Sequence, residues 1–162
     1  MGSSGILALA IVGVLAGCAG ADWKGADGAG GESIPVRMTA TRVNTGEIGR
    51  AMLTPRRDET DVRVEVSGVP DHSTRPVHLY TYIHEGSCGA LSPTPAYTLT
   101  DRVLAESFSV FSMAASAGPP FKVSNTVPVP LATLQSRPHA VVVRTGPADG
   151  NLDIFCGDIG KP

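Results

Sequence analysis

The sequence has no apolar run long enough to cross a bilayer. The longest, Ile6–Ala16, is interrupted only by Gly13 and falls short of the about 20 residues that a hydrocarbon core requires. No lysine or arginine precedes Lys24, so the basic segment that usually opens an export signal is missing. No basic stripe exists either. The 13 basic and 15 acidic residues leave a formal charge of −2, which excludes the electrostatic footprint of a nucleic-acid-binding protein. There is no serine–histidine–acid set around a nucleophile motif and no phosphate-cradling loop, since Gly28-Ala29-Gly30-Gly31 lies in a polar tether. No repeat and no long 3.6-residue periodicity are visible, which argues against a solenoid or a helical bundle. Histidine is scarce, with four in the chain, and cysteine scarcer, with three.

What is present begins at the N-terminus. Ile6–Ala16 has the length of a signal-peptide hydrophobic region and ends in Leu15-Ala16-Gly17-Cys18. That tetrapeptide resembles the lipobox of bacterial lipoproteins. Small residues give the peptidase access to the backbone, and the thiol is the side chain that accepts a thioether-linked diacylglycerol. The resemblance implies that residues 1–17 are a signal peptide and that Cys18 is the acylated first residue of the mature chain. It also implies that the membrane is a partner through that lipid, such as palmitate. Each buried CH₂ contributes ~0.8 kcal/mol, so several acyl chains anchor firmly. Ala19 and Gly20 follow the cysteine, and no aspartate stands directly after it. By resemblance to enterobacterial sorting this favours the outer membrane of the cell envelope. Residues 18–33 are rich in Gly, Ala and Asp and read as a flexible tether, holding the domain roughly 20 Å from the bilayer. Trp23 within it is either an interfacial anchor or a stray aromatic.

Residues 34–162 form one domain, large enough to bury a core. Cys88 and Cys156 are its only cysteines. In an exported domain they read as one disulfide, contributing roughly 4 kcal/mol on the chain-entropy model. The domain reads as strands and turns. Val36–Val43 alternates, Asn44–Glu47 carries turn chemistry and Ile48–Thr54 is extended. Arg56–Asp61 reads as a charged, solvated hairpin loop. Val62, Val64 and Val66 alternate with Arg63, Glu65 and Ser67, the period of a half-buried strand. After a loop at Pro70–Pro76, Val77–Glu85 sorts into two faces, His78, Tyr80, Tyr82 and His84 against Leu79, Thr81 and Ile83. Weaker extended segments fall at Tyr97–Val103, Ser107–Met113 and Phe121–Val129, and the first part of Asp101–Ser112 also fits a short helix. Ala140–Arg144 and Leu152–Cys156 close the chain as two strands. With 19 glycines and 13 prolines punctuating short strands, the fold class is all-β, an antiparallel sandwich or flattened barrel of about eight strands.

Three fragments then resemble one family. Gly46-Glu47-Ile48-Gly49 is similar to the Gly-x-Ile-Gly of copper/zinc superoxide dismutases, and Tyr82-Ile83-His84-Glu85-Gly86-Ser87-Cys88 to their His-x-His-Glu followed by Gly-Ser-Cys. Phe155-Cys156-Gly157-Asp158-Ile159-Gly160 resembles their terminal Ala-Cys-Gly-Val-Ile-Gly, and Ala140–Val143 resembles a further strand. The resemblance implies a Greek-key barrel and, again, a Cys88–Cys156 bridge.

The departures bear on function. The family holds copper with four imidazoles, a donor set suited to both copper oxidation states. Here Tyr82 stands at the first position and only His84 is kept. No histidine lies between Glu85 and Pro138, so the bridging ligand and the zinc histidines are missing, and Arg144 stands at the fourth position. A guanidinium does not deprotonate in a protein. The family's arginine for steering the superoxide anion is replaced by Asp153, a charge of the wrong sign. The resemblance therefore implies a kept fold without dismutase catalysis and without a cofactor.

Each candidate also has a plainer reading. His84 reads as a strand histidine bonded to a neighbour rather than a ligand. His78 and His84 are about 20 Å apart along a strand and cannot chelate one ion. Tyr82, His84 and Arg144 are expected to converge, either as a small anion site or with Arg144 filling the vacated space. Three functions stay open: a non-catalytic binding or structural module, a metal-binding or residual enzyme rebuilt around His84 with His72 or His139, and an unrelated β-sandwich envelope factor. The sequence does not name a protein or small-ligand partner.

Overall fold

The computed structural model describes residues 31–99, 106–107 and 119–160. The expected signal peptide, Cys18, Trp23 and most of the tether lie outside them. So do most of the Ser107–Met113 segment and of the Asp101–Ser112 helix expectation.

The described chain is all-β. Eight strands of seven to nine residues are joined by one of two residues: β1 (Ile34–Ala40), β2 (Gly49–Arg56), β3 (Glu59–Val66), β4 (Leu79–Ser87), β5 (Ala90–Thr98), β6 (Glu106–Ser107), β7 (Phe121–Val127), β8 (His139–Thr145) and β9 (Asp153–Ile159). They form one curled antiparallel sheet in the order β5-β4-β8-β9-β1-β2-β3-β7-β6. The curl comes from β1. Its residues Ile34–Met38 pair with β2, whereas Thr39 and Ala40 pair with Phe155 and Cys156 of β9. One strand thus belongs to both layers of a flattened barrel. The β3–β4, β5–β6 and β7–β8 connections do not join hydrogen-bonded neighbours, the crossing habit of Greek-key sandwiches.

Alternation builds the core. In β3, Val62, Val64 and Val66 are buried between charged neighbours. In β7, Phe121, Val123 and Val127 are buried while Lys122, Ser124 and Thr126 stay exposed. From the facing layer come Leu79 and Ile83 of β4, Val141 and Val143 of β8, and Ile154, Phe155 and Ile159 of β9. Burying such side chains contributes about 1.5–3 kcal/mol each, and this drives the two layers together. β8 differs from the rest. Ala140 and Val142 on its other face are buried as well, because Val142 sits opposite Cys156 and the Cys88–Cys156 disulfide closes over that side.

Several boundaries differ from expectation for identifiable reasons. Arg56 and Glu59 are paired strand residues. The loop expected over Arg56–Asp61 shrinks to a turn at Arg57-Asp58, with Arg57 at φ 46°. Charge there marks a solvated strand face, not a loop. β5 carries Pro93 and Pro95 and was legible only from Tyr97 onward; as an edge strand it tolerates prolines. A five-residue helix, α1 (Leu131–Gln135), is too short to show periodicity. Glu106 and Ser107, within the segment that also fitted a helix, pair with Lys122 and Phe121.

Gly86 has φ +97°, and a Cβ placed on it would lie 2.1 Å from the Ala90 carbonyl oxygen. The β4–β5 hairpin therefore requires glycine there. Gly86→Ala is expected to cost about 1–3 kcal/mol, read as a fall in urea midpoint. Cys88→Ser/Cys156→Ser opens a link with a sequence separation of 68 and is expected to cost roughly 4 kcal/mol. An unchanged thermal midpoint in non-reducing buffer would contradict that expectation.

Candidate functional site

Tyr82, His84, Arg144 and Asp153 lie on the β4–β8–β9 layer. β4 turns Leu79, Thr81 and Ile83 inward, which leaves Tyr80, Tyr82 and His84 on the other side. Register then brings their neighbours. Tyr80 faces Arg144, Tyr82 faces Val142 and His84 faces Ala140. On the far side of β8, Val142 faces Cys156 and Ala140 faces Asp158.

Arg144 is the centre of this face. Its guanidinium carbon lies 5.2 Å from the centroid of the Tyr82 ring, a cation–π contact. Its Nε donates to the Asp153 carboxylate in a partly buried ion pair. A register shift between Val143 and Arg144 sets this pairing: the ladder matches Val143 to Phe155 and then Arg144 to Asp153, passing over Ile154. Bulges of this kind re-aim side chains. The residue that stands where the resemblance has a steering arginine is thus the counter-ion of the residue that stands where it has a copper ligand. Sequence reading treated the two separately. The signal was present as opposite charges on two adjacent strands, but the bulge moved the match by one residue.

His84 packs edge-on to Tyr82, with ring centroids 6.3 Å apart and planes at 65°. It is 1% exposed. Its Nδ1 lies 2.9 Å from the Ser92 carbonyl oxygen, which can only accept, so Nδ1 carries the proton. Its Nε2 is buried without a hydrogen-bond partner. Register shifts in the β4–β5 ladder lie on both sides of His84. Below it, Asp158 accepts a hydrogen bond of 2.7 Å from the Cys88 backbone N–H, which fixes the turn that carries the disulfide. Neither the Ser92 nor the Asp158 contact was legible beforehand, since both join strands through irregular backbone.

The other histidines lie elsewhere. His139 neighbours Ala140 in β8 and therefore points to the opposite face from His84. It is buried, its Nδ1 donates to the Leu134 carbonyl at 2.9 Å, and its Nε2 has no partner. His72 is exposed in the loop after Pro70, and His78 precedes β4. Among the described residues no three of His, Cys, Asp and Glu gather as a metal site would need.

These residues do not fit the copper that the resembled family holds. One imidazole lone pair is available, and the place of a second donor holds a cation already engaged by Asp153. The chemistry that the face can perform is hydrogen bonding, stacking and charge recognition. No protein-family model, curated protein or solved structure matches this chain.

The Arg144–Asp153 pair is accessible in part, with side-chain exposures of 24% and 41%, so its coupling is moderate. A double-mutant cycle of Arg144→Met and Asp153→Asn is expected to give about 1 kcal/mol, diminishing as salt screens the pair. A coupling of zero at low salt would show that the two charges are independent.

Proposed function

We propose that this chain is a lipid-anchored protein of the bacterial cell envelope. Its β-domain, related in design to copper/zinc superoxide dismutases, serves as a non-catalytic binding or structural module. The observation that carries this reading is Arg144, held between Tyr82 and Asp153. A fixed cation at that position opposes a dication electrostatically and supplies no lone pair. The carboxylate that binds it replaces the family's anion-steering charge with its opposite. Two further features support the reading. Cys88 and Cys156 are bonded, with Cα atoms 5.8 Å apart, as the resemblance and an oxidising compartment both imply. His84 keeps a strand position and a backbone hydrogen bond that orient it without a metal.

What remains is a rigid, disulfide-closed face. It presents an aromatic ring, a paired arginine and Tyr80 at the surface of β4 and β8. Such a face suits contact with another polar surface, since aromatic and arginine side chains dominate binding energy when they become desolvated.

Two measurements test the proposal. Protein isolated from native envelopes without chelators is expected to hold substoichiometric copper and zinc and to show no dismutase activity above buffer. One active copper per chain overturns the non-catalytic reading. Labelled palmitate is expected in the wild-type chain and absent from Cys18→Ser; equal labelling of both overturns the anchor.

A further inference from the structure

The opposite side of the molecule, the outer face of β1, β2, β3 and β7, carries an unusual row of charge. Arg37 of β1 lies directly across from Arg50 of β2, Arg50 across from Glu65 of β3, and Glu65 across from Lys122 of β7. Three cations share one carboxylate. Like charges placed directly opposite one another in a sheet destabilise it. Glu65 relieves only one side of the row. It accepts a 2.9 Å hydrogen bond from Arg50, and that bond, with the charges of Arg50 and Lys122, holds its carboxyl below the usual carboxylate range. Among the described residues Arg37 has no ion-pair partner, and neither has Arg42 just beyond β1.

Arg37, Arg42 and Arg50 line one open groove of about 830 Å³ between β1 and the Thr45–Arg50 segment. The one acid that lines the groove, Glu47, accepts a hydrogen bond from the Ser67 hydroxyl, so three cations face one carboxylate there. Around the groove stand the exposed large apolar side chains of the described domain, Ile48 at 74%, Val43 at 46% and Met52 at 42%. Arg37 and Arg42, without ion-pair partners among the described residues, and Arg50, paired on one side with Glu65, stand beside protruding aliphatic groups; in a chain whose overall formal charge is −2 they form a local amphipathic surface.

We infer that this face docks on an anionic bilayer, with Arg37, Arg42 and Arg50 at the lipid phosphates and with Ile48 and Val43 entering the headgroup layer. Charge complementarity selects the occupant. Exposed apolar tips beside cations fit the boundary between headgroups and acyl chains. The chain that precedes Ile34 enters β1 itself, the strand that carries Arg37. The inference deepens the lipid-anchor reading, because an anchored domain meets the bilayer at high effective concentration. It also has a consequence for that reading. Docking through this layer turns the Tyr82–Arg144 face, on the opposite layer, toward the aqueous space.

The test is hydrogen exchange on the full chain as the cell produces it, mixed with vesicles of phosphatidylcholine alone or with one quarter phosphatidylglycerol. Mass spectrometry of the same sample reports acylation separately, so a missing acyl group sinks the anchor reading without deciding this one. Amides from Arg42 to Met52 are expected to exchange about fivefold more slowly on the anionic vesicles than on the neutral ones, with His139–Ile159 unaffected. Arg37→Glu/Arg42→Glu is expected to abolish the difference while the thermal midpoint stays within the range of the wild type, and Ile48→Asp is expected to reduce it. Equal exchange on both vesicles, or protection that survives the double charge reversal, overturns the inference.

Discussion

The architecture depends on one strand serving two layers. β1 pairs with β2 through Met38 and then, from Thr39, with β9. That transfer turns what would be two separate sheets into one curled surface around a single apolar core. It demands close approach. A Cβ on Gly157 of β9 would come within 2.8 Å of the Arg37 carbonyl oxygen, so the crossing is made where a residue has no side chain. Everything else follows from which face of each strand is left over once the core is enclosed.

On one layer the leftover face is β4, β8 and β9, and its character is set by irregularity. The register shifts beside His84 and at Arg144 lie in the ladders that hold Tyr82, Arg144 and Asp153. The disulfide and the Asp158 cap then fix the Cys88 turn against that face. The result is a rigid, polar and aromatic surface whose charges neutralise one another. On the other layer the leftover face is regular, and its cations lie in register with incomplete compensation. The charges of the Arg144–Asp153 pair compensate each other, and those of the Arg37–Arg50–Glu65–Lys122 row do so only in part. That contrast distinguishes the two sides of the molecule.

Much of this was readable in the sequence because burial writes a period of two. Val62–Val66 carries that period and Val77–Glu85 sorts by it into two faces, one of which, Leu79, Thr81 and Ile83, is buried, and all eight long strands carry extended patterning in some part. That Tyr82, His84 and Arg144 share one face was also legible from alternation; Tyr82 meets each of the other two, but His84 pairs opposite Ala140 and Arg144 opposite Tyr80, four residues apart on each strand. What was hidden lay in backbone irregularity. The bulge that gives Arg144 to Asp153, the carbonyl of Ser92 beneath His84, and the proline-bearing edge β5 leave no periodic trace. The charged Arg56–Asp61 stretch misled for a different reason: a solvated strand face and a loop have the same composition.

Arg144, bound by Asp153 and stacked on Tyr82, makes this face unsuited to a metal ion, and that incompatibility is the constraint on its chemistry. It is tested most directly by titrating metal-stripped protein with one equivalent of copper(II) and recording the electron paramagnetic resonance spectrum. The expected spectrum shows no discrete site of several nitrogen donors and is unchanged by His84→Ala. A saturable one-to-one site with several imidazole nitrogens, lost in that variant, would contradict it.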